Sequence, residues 1–304
     1  MRYFCLSIMS ILLLLPMSIF SQFSGKLLLK PSRIFKENHP ERSPLGNNPS
    51  DYGLVAERMR FEVEAGLEIA GYFIHALTPT PKGTIMILHG IGSCKEHSLL
   101  KAKMAAESGF RAVIYDARAH GESEGEHCTF GIEESKDVSK ILDILEVSHP
   151  TQLPYFIWGH SLGGAVALLA LENEPRFKAG VIESTFTSLD QVAVDYMSNI
   201  FGFGRKKITD KLLMRMGKQA NIDLLSIKPI DAAKNIKVPV MIAHGEKDER
   251  VKFEYGKILY ENLGSTVKKF VAVPSAGHID LWTTEGGREY MQLVMNFFSE
   301  QGAH

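Results

Sequence analysis

Ser161 stands in WGHSLGG (Trp158–Gly164), between an apolar run, Tyr155–Trp158, and an Ala/Leu run, Ala165–Leu171. A serine on a tight strand-to-helix turn needs small neighbours, here Gly159, Gly163 and Gly164. Such a turn lifts the hydroxyl clear of the sheet at a helix N-terminus, where negative charge is favoured. The bare pattern suits a serine N-cap equally well, so a nucleophile must be recognised by its company. His278, in SAGH (Ser275–His278), follows the last apolar run and could take the serine proton. Asp248, in HGEKD (His244–Asp248), follows the run before that and could orient the histidine; Glu246 and Glu183 are the alternative acids. A tetrahedral oxyanion also needs donors. HGIG (His89–Gly92) follows another apolar run, and the backbone N–H groups of Ile91 and Leu162 are the expected pair. His89 reads as a structural hydrogen-bonder rather than a catalyst.

These residues work together only if the chain brings them to one edge. From Thr84 onward, short apolar runs alternate with helical segments. The runs are Thr84–Leu88, Arg111–Tyr115, Tyr155–Trp158, Ala179–Ile182, Val238–Ala243 and Lys268–Val273. Apolar nearly throughout, they read as strands covered on both faces. Helices are expected near Glu96–Ser108, Ile132–Val147, Leu162–Asn173, Lys252–Leu263 and Glu285–Glu300. Such alternation implies right-handed crossovers and a mostly parallel sheet, whose ligands bind at the carboxyl ends of the strands. Ahead of it, Arg58–Glu64 and Glu68–Ala76 read as an antiparallel hairpin. The expected fold is therefore α/β, with eight strands. Over fifty residues separate Ile182 from Val238, far more than one crossover needs. Residues 188–228 are read as a helical cap inserted over the sheet, broken at Gly202, Gly204 and Gly217. The hydrolytic groups would then lie in 58–187 and 229–304.

The first residues stand apart from this domain. Tyr3–Gly25 carries no charge, follows a single Arg2, and is most apolar at Ile11–Leu15. That layout is a secretory signal, with cutting expected after Ser21. Its length also suits a retained anchor. Either way the working part of the chain is expected to be exported or held at a membrane. Residues 22–57, with four prolines, read as a linker or strap. A net charge of −1 gives no field for nucleic acid. No phosphate loop, C-x-x-C pair or H-E-x-x-H occurs, so neither metal nor cofactor is implied. Cys94 and Cys128 fall in loops that this topology brings close; free thiols are the favoured reading and a disulfide the alternative. The sequence implies no oligomeric state.

The motifs together carry a resemblance. GHSLG (Gly159–Gly163), LHGIG (Leu88–Gly92), DARAHGES (Asp116–Ser123), HGEKD and AGH (Ala276–His278) stand in the order found in α/β-hydrolases. Over roughly residues 52–299 the chain resembles that superfamily, in the branch of lysophospholipase-, monoglyceride-lipase- and serine-aminopeptidase-like enzymes. The resemblance implies Ser161 as nucleophile, Asp248 as acid and His278 as base. One departure is Ala119, where the family usually has glycine. The chemistry implied is cofactor-free hydrolysis of carboxylic esters, with thioesterase or aminopeptidase activity on the same triad as alternatives. A non-catalytic, membrane-tethered binding protein on a hydrolase scaffold is the alternative of another class. The cap residues Met197, Ile200, Phe201, Phe203, Leu212, Leu213, Met214 and Met216 suggest an adaptable apolar acyl pocket. Lys211, Arg215 and Lys218 share one helical face, which reads as a solvated face or, more sharply, as a contact with an anionic membrane.

Overall fold

A computed structural model describes residues 29–31, 33, 43–151, 153–202 and 204–302. The signal or anchor segment, much of the strap, Phe203 and the side chains of Ile200 and Phe201 lie outside the described residues.

Eight strands form one sheet: β1 (Ala56–Glu64), β2 (Leu67–Ile74), β3 (Thr84–Leu88), β4 (Arg111–Tyr115), β5 (Tyr155–His160), β6 (Phe177–Glu183), β7 (Val240–Gly245) and β8 (Lys268–Val273). Their order is β1-β2-β4-β3-β5-β6-β7-β8. β2 runs antiparallel to β1 and β4, and every other pairing is parallel. Eight helices are described: α1 (Leu99–Glu107), α2 (Ile132–Ser148), α3 (Leu162–Asn173), α4 (Leu189–Phe201), α5 (Lys206–Ala220), α6 (Pro229–Asn235), α7 (Phe253–Asn262) and α8 (Gly287–Gly302).

The strands are apolar on both faces because both are covered. Met86, Tyr155 and Ile157 join the core under α2 and α3, while Ile85, Ile87, Phe156 and Trp158 join the core under α1 and α8. Parallel register then levels the strand ends. Leu88 pairs with Gly159, His160 with Glu183, and Gly245 with Val273. The loops after β3, β5, β6, β7 and β8 therefore leave from one edge.

Local differences from expectation have physical causes. Lys95–Ser98 is a 3-10 turn and the α-helix begins only at Leu99. There Asp116 accepts the Lys95 N–H at 2.7 Å and its ammonium at 2.8 Å, fixing the chain ahead of the helix. Residues 229–235 form a helix of their own, opened by Pro229 in its first turn. Gly217 lies inside α5 rather than breaking it. A Cβ there would strike the Ile222 carbonyl, so the glycine permits a close return of the chain. Ala119 adopts φ 62°, the left-handed conformation that glycine enters without cost, which accounts for the usual residue at that position. Cys94 and Cys128 are both buried free thiols.

Candidate active site

Ser161 occupies the β5–α3 turn with φ 54° and ψ −117°. A non-glycine residue there costs about 1–3 kcal/mol and must be held by its surroundings. Its N–H donates to the Glu183 carbonyl at 2.8 Å, and its carbonyl accepts the Thr185 hydroxyl at 2.7 Å. The end of β6 thus grips the turn on both sides. The glycines are there for space. A Cβ on Gly159 would lie 2.8 Å from the Gly164 nitrogen, one on Gly163 2.7 Å from the His89 carbonyl oxygen, and one on Gly164 2.9 Å from Thr185 Cβ.

His278, Asp248 and Ser161 come together. His278 Nε2 lies 3.0 Å from Ser161 Oγ, and Nδ1 lies 2.8 Å from Asp248 Oδ2. A carboxylate beside Nδ1 requires the proton there, which leaves Nε2 free to accept the serine hydroxyl's proton. The Asp248 carboxylate is fully buried and all its capacity is used. Oδ1 accepts the N–H groups of Arg250 and Val251, each at 2.9 Å. Oδ2 also lies 3.2 Å from Nε2 of His244, which donates to the Val251 carbonyl at 2.9 Å. Burial alone would raise the carboxyl's pKa. Hydrogen bonds from His244 and His278 outweigh it and hold the group well below the usual carboxylate range.

The alternative acids are elsewhere. Glu246 is exposed. Glu183 is wholly buried and accepts from Lys101 Nζ, from Trp158 Nε1 at 2.8 Å and from the Tyr290 hydroxyl at 2.6 Å. Burial works against its charge, but the Lys101 ammonium prevails and brings its pKa down to about 2. That ammonium also lies 4.7 Å from the Trp158 ring centre and 4.4 Å from that of Trp282. His160, beside Ser161, has its ring 5.1 Å from that of His278, and burial lowers its pKa to about 4. His89 is likewise kept neutral, at about 4, by burial and by His120. Its Nε2 accepts the Ala117 N–H at 3.0 Å and its Nδ1 bonds the Gly90 carbonyl at 2.8 Å, the structural role expected of it.

A cleft of about 320 Å³ opens over Ser161 and His278. Gly90 and Ile91 form part of its wall, and a Cβ on Gly90 would come within 3.2 Å of Ser161 Cβ. The loop after β3 therefore passes directly over Ser161. Leu162 opens α3, so its N–H has no acceptor within the helix. The insertion residues expected to form an apolar pocket do not reach the cleft where they are described; Phe203 and the side chains of Ile200 and Phe201 lie outside the described residues. Among the described residues, only Tyr196 of 188–228 lines the cleft. Leu213 and Met216 pack into the core, and Met214 faces outward. Sequence reasoning passed over His244, Lys101, His160 and Arg250. His244 was visible as the first residue of HGEKD, and His160 as the residue before the serine.

Comparison with known proteins gives the same picture. Residues 79–227 match the family model described as serine aminopeptidase, S33. The chain is 26% identical over 280 residues to protein bem46 of Schizosaccharomyces pombe, covering 90% of this chain and 86% of that one. It is 33% identical over 107 residues to human monoglyceride lipase, 34% of this chain and 35% of that one. The structure of an esterase from Pyrococcus furiosus superposes with a TM-score of 0.71 at 22% identity, covering 90% of this chain and 98% of the other. With an eight-stranded sheet of this order and a serine at the strand-to-helix turn, the chain belongs to the α/β-hydrolase superfamily and is a hydrolase of that fold.

Proposed function

We propose that the protein is a serine hydrolase that cleaves carboxylic esters through an acyl-enzyme. The observation that carries this reading is the hydrogen-bonded series from Ser161 Oγ to His278 at 3.0 Å and on to Asp248 at 2.8 Å. As Oγ attacks the ester carbonyl, His278 Nε2 takes its proton and Asp248 stabilises the resulting imidazolium. The backbone N–H groups of Ile91 and Leu162 receive the oxyanion. His278 returns the proton to the departing alkoxide, leaving the acyl group on Ser161. Water then attacks the acyl carbon as His278 Nε2 takes one of its protons, and that proton passes to Ser161 Oγ as the acyl–Oγ bond breaks and the acid leaves. The resemblance to a monoglyceride lipase supports an ester as substrate. The description of the matching family supports a second reading, aminopeptidase action, in which the same groups expel an amine. Hydrolysis of a chain-length series of para-nitrophenyl esters, against amino-acid nitroanilides, separates the two. No ester turnover, or undiminished turnover in Ser161→Ala, sinks the proposal.

The protein is further proposed to be exported or anchored through its N-terminal segment and to rest its insertion on an anionic membrane. Among the described residues, no helix is long and apolar enough to span a bilayer. The support is α5, where Lys207, Lys211, Arg215 and Lys218 are exposed, and none of the four has a carboxylate partner among the described residues. A basic exposed face is drawn to anionic lipid. Charge reversal at Lys211, Arg215 and Lys218 should abolish binding to phosphatidylserine vesicles; unchanged binding removes this part.

A further inference from the structure

The cleft over Ser161 holds a cation that the chemistry above does not use. Lys101 lines the cleft, but its charge is neutralised by Glu183. Asp280 also lines it, with Oδ1 taken by the Gly277 N–H at 2.6 Å. Arg250 differs from both. It lines the same cleft, it is exposed, and no carboxylate among the described residues lies within 4.0 Å of its guanidinium. Asp248, its neighbour in the chain, cannot serve, because both oxygens are occupied by His278, His244 and backbone N–H groups.

Its place is nonetheless fixed. The Arg250 N–H is bound by Asp248 Oδ1, while Oδ2 of that carboxylate holds His278. The acid of the triad therefore bonds both the arginine backbone, in its own loop after β7, and the base, in the loop after β8. From the other side, Asn199 of α4 donates to the Glu249 carbonyl at 3.2 Å, and Tyr196 of α4 joins the cleft wall. A guanidinium is permanently charged, carries five donors in a planar fork, and matches carboxylate and phosphate oxygens two at a time. With its backbone anchored at the mouth of a reaction cleft and no carboxylate partner among the described residues, it has its acceptors still to find.

We infer that Arg250 is a specificity residue that binds an anionic group, carboxylate or phosphate, carried by the substrate at a distance from the scissile carbonyl. This rests on the ester-hydrolase reading. Asp280 repels an anion elsewhere in the cleft, so the charge is read at Arg250 rather than by a general positive field. Such an interaction strengthens binding of the whole substrate and appears chiefly in KM.

The test uses two matched pairs of esters with the full chain. Para-nitrophenyl butyrate against para-nitrophenyl hemiglutarate places a carboxylate on the acyl side. Monobutyrin against butyrylglycerol phosphate places a phosphate on the alcohol side. In at least one pair, the ratio of kcat/KM for the anionic to the neutral ester should fall about tenfold or more in Arg250→Gln, mainly through KM. Arg250→Lys should keep part of the preference, since charge survives without the fork. The pair that responds tells carboxylate from phosphate. Ratios unchanged by Arg250→Gln in both pairs overturn the inference. Failure of a fluorophosphonate to label Ser161, with no turnover of any of the four esters, overturns the ester reading and this inference with it.

Discussion

Gly163→Ala offers a direct test of how the site is built. The added methyl would lie 2.7 Å from both the carbonyl carbon of Leu88 and the carbonyl oxygen of His89, and nearer still to the Leu88 oxygen. Ordinary contact begins at 3.4 Å, so helix α3 and the loop after β3 must part by about 0.7 Å or more. The atoms in the way are backbone, and no side chain can swing aside. Those two segments carry Leu162 and Ile91, whose N–H groups are proposed to share the oxyanion. Separating them misaligns one donor at least. Misplacement of about 1 Å costs on the order of 10²-fold in rate, and loss of one oxyanion donor costs a similar amount. Overpacking also destabilises, by about 1–3 kcal/mol. The assay is kcat/KM on a para-nitrophenyl ester, with urea denaturation in parallel to confirm that the variant is folded under assay conditions. An expected loss of about 10² in a folded protein lies mainly in kcat, since the oxyanion forms only on the way to the intermediate. A folded variant with wild-type kcat would refute the placement of the oxyanion site between these two loops.

Two further outcomes follow from the electrostatics. Asp248→Asn should lower kcat by about 10⁴ with little change in KM, because an amide no longer fixes the His278 tautomer; steady-state kinetics and slowed fluorophosphonate labelling report it, and a loss below tenfold would give the orienting role to another group. Acid should also weaken the fold before it protonates ordinary carboxylates. His89 and His160 are held near 4, against 6.5 for a free imidazole, so between those values the unfolded chain takes up two protons that the native state refuses. Stability is then fully present above pH 6.5 and falls as pH drops towards 4. Asp137, pushed up to about 6 by burial, opposes this by one proton. These three groups together give a slope of about 1 kcal/mol per pH unit near pH 5, to which His120, also lowered by burial, adds; urea curves at stepped pH read it. A flat stability over that interval would show that these histidines are not held neutral.

The triad was legible because it needs little tertiary knowledge. Once the runs ending at Trp158, Ala243 and Val273 are taken as parallel strands, the residues just after them must share an edge, whatever the exact packing. The register of Leu88 with Gly159 and of Gly245 with Val273 supplies that edge. The cleft lining was not legible. Amphipathic spacing says that Leu213 and Met216 are buried, but not whether they are buried in the core or in a pocket, and they went to the core. Likewise Lys101 reads as one more helix lysine. Its role depends on α1 passing Glu183, which stands 82 residues further along the chain and follows two intervening strands.

That lysine bears on why a strained serine can stand where it does. The backbone of Glu183 accepts the Ser161 N–H, so any freedom at the end of β6 passes directly into Ser161. Beyond its pairing in the sheet, an apolar side chain at 183 would be held by packing, which tolerates small shifts. The carboxylate is instead tied by donors from three separate elements: Lys101 on α1, Trp158 on β5 and Tyr290 on α8. Burying an ion pair seldom adds net stability, since desolvation offsets the attraction. Its contribution here is directional, because three bonds from separate elements add to the sheet pairing in holding the end of β6. Neutralising Glu183 has a second effect. Its carboxylate lies 3.6 Å from His160 Nδ1, and a free charge there would tend to protonate His160. Burial keeps the ring neutral, and Lys101, by answering that charge, adds to the effect. His278 is then left as the imidazole placed to take the proton when Ser161 attacks.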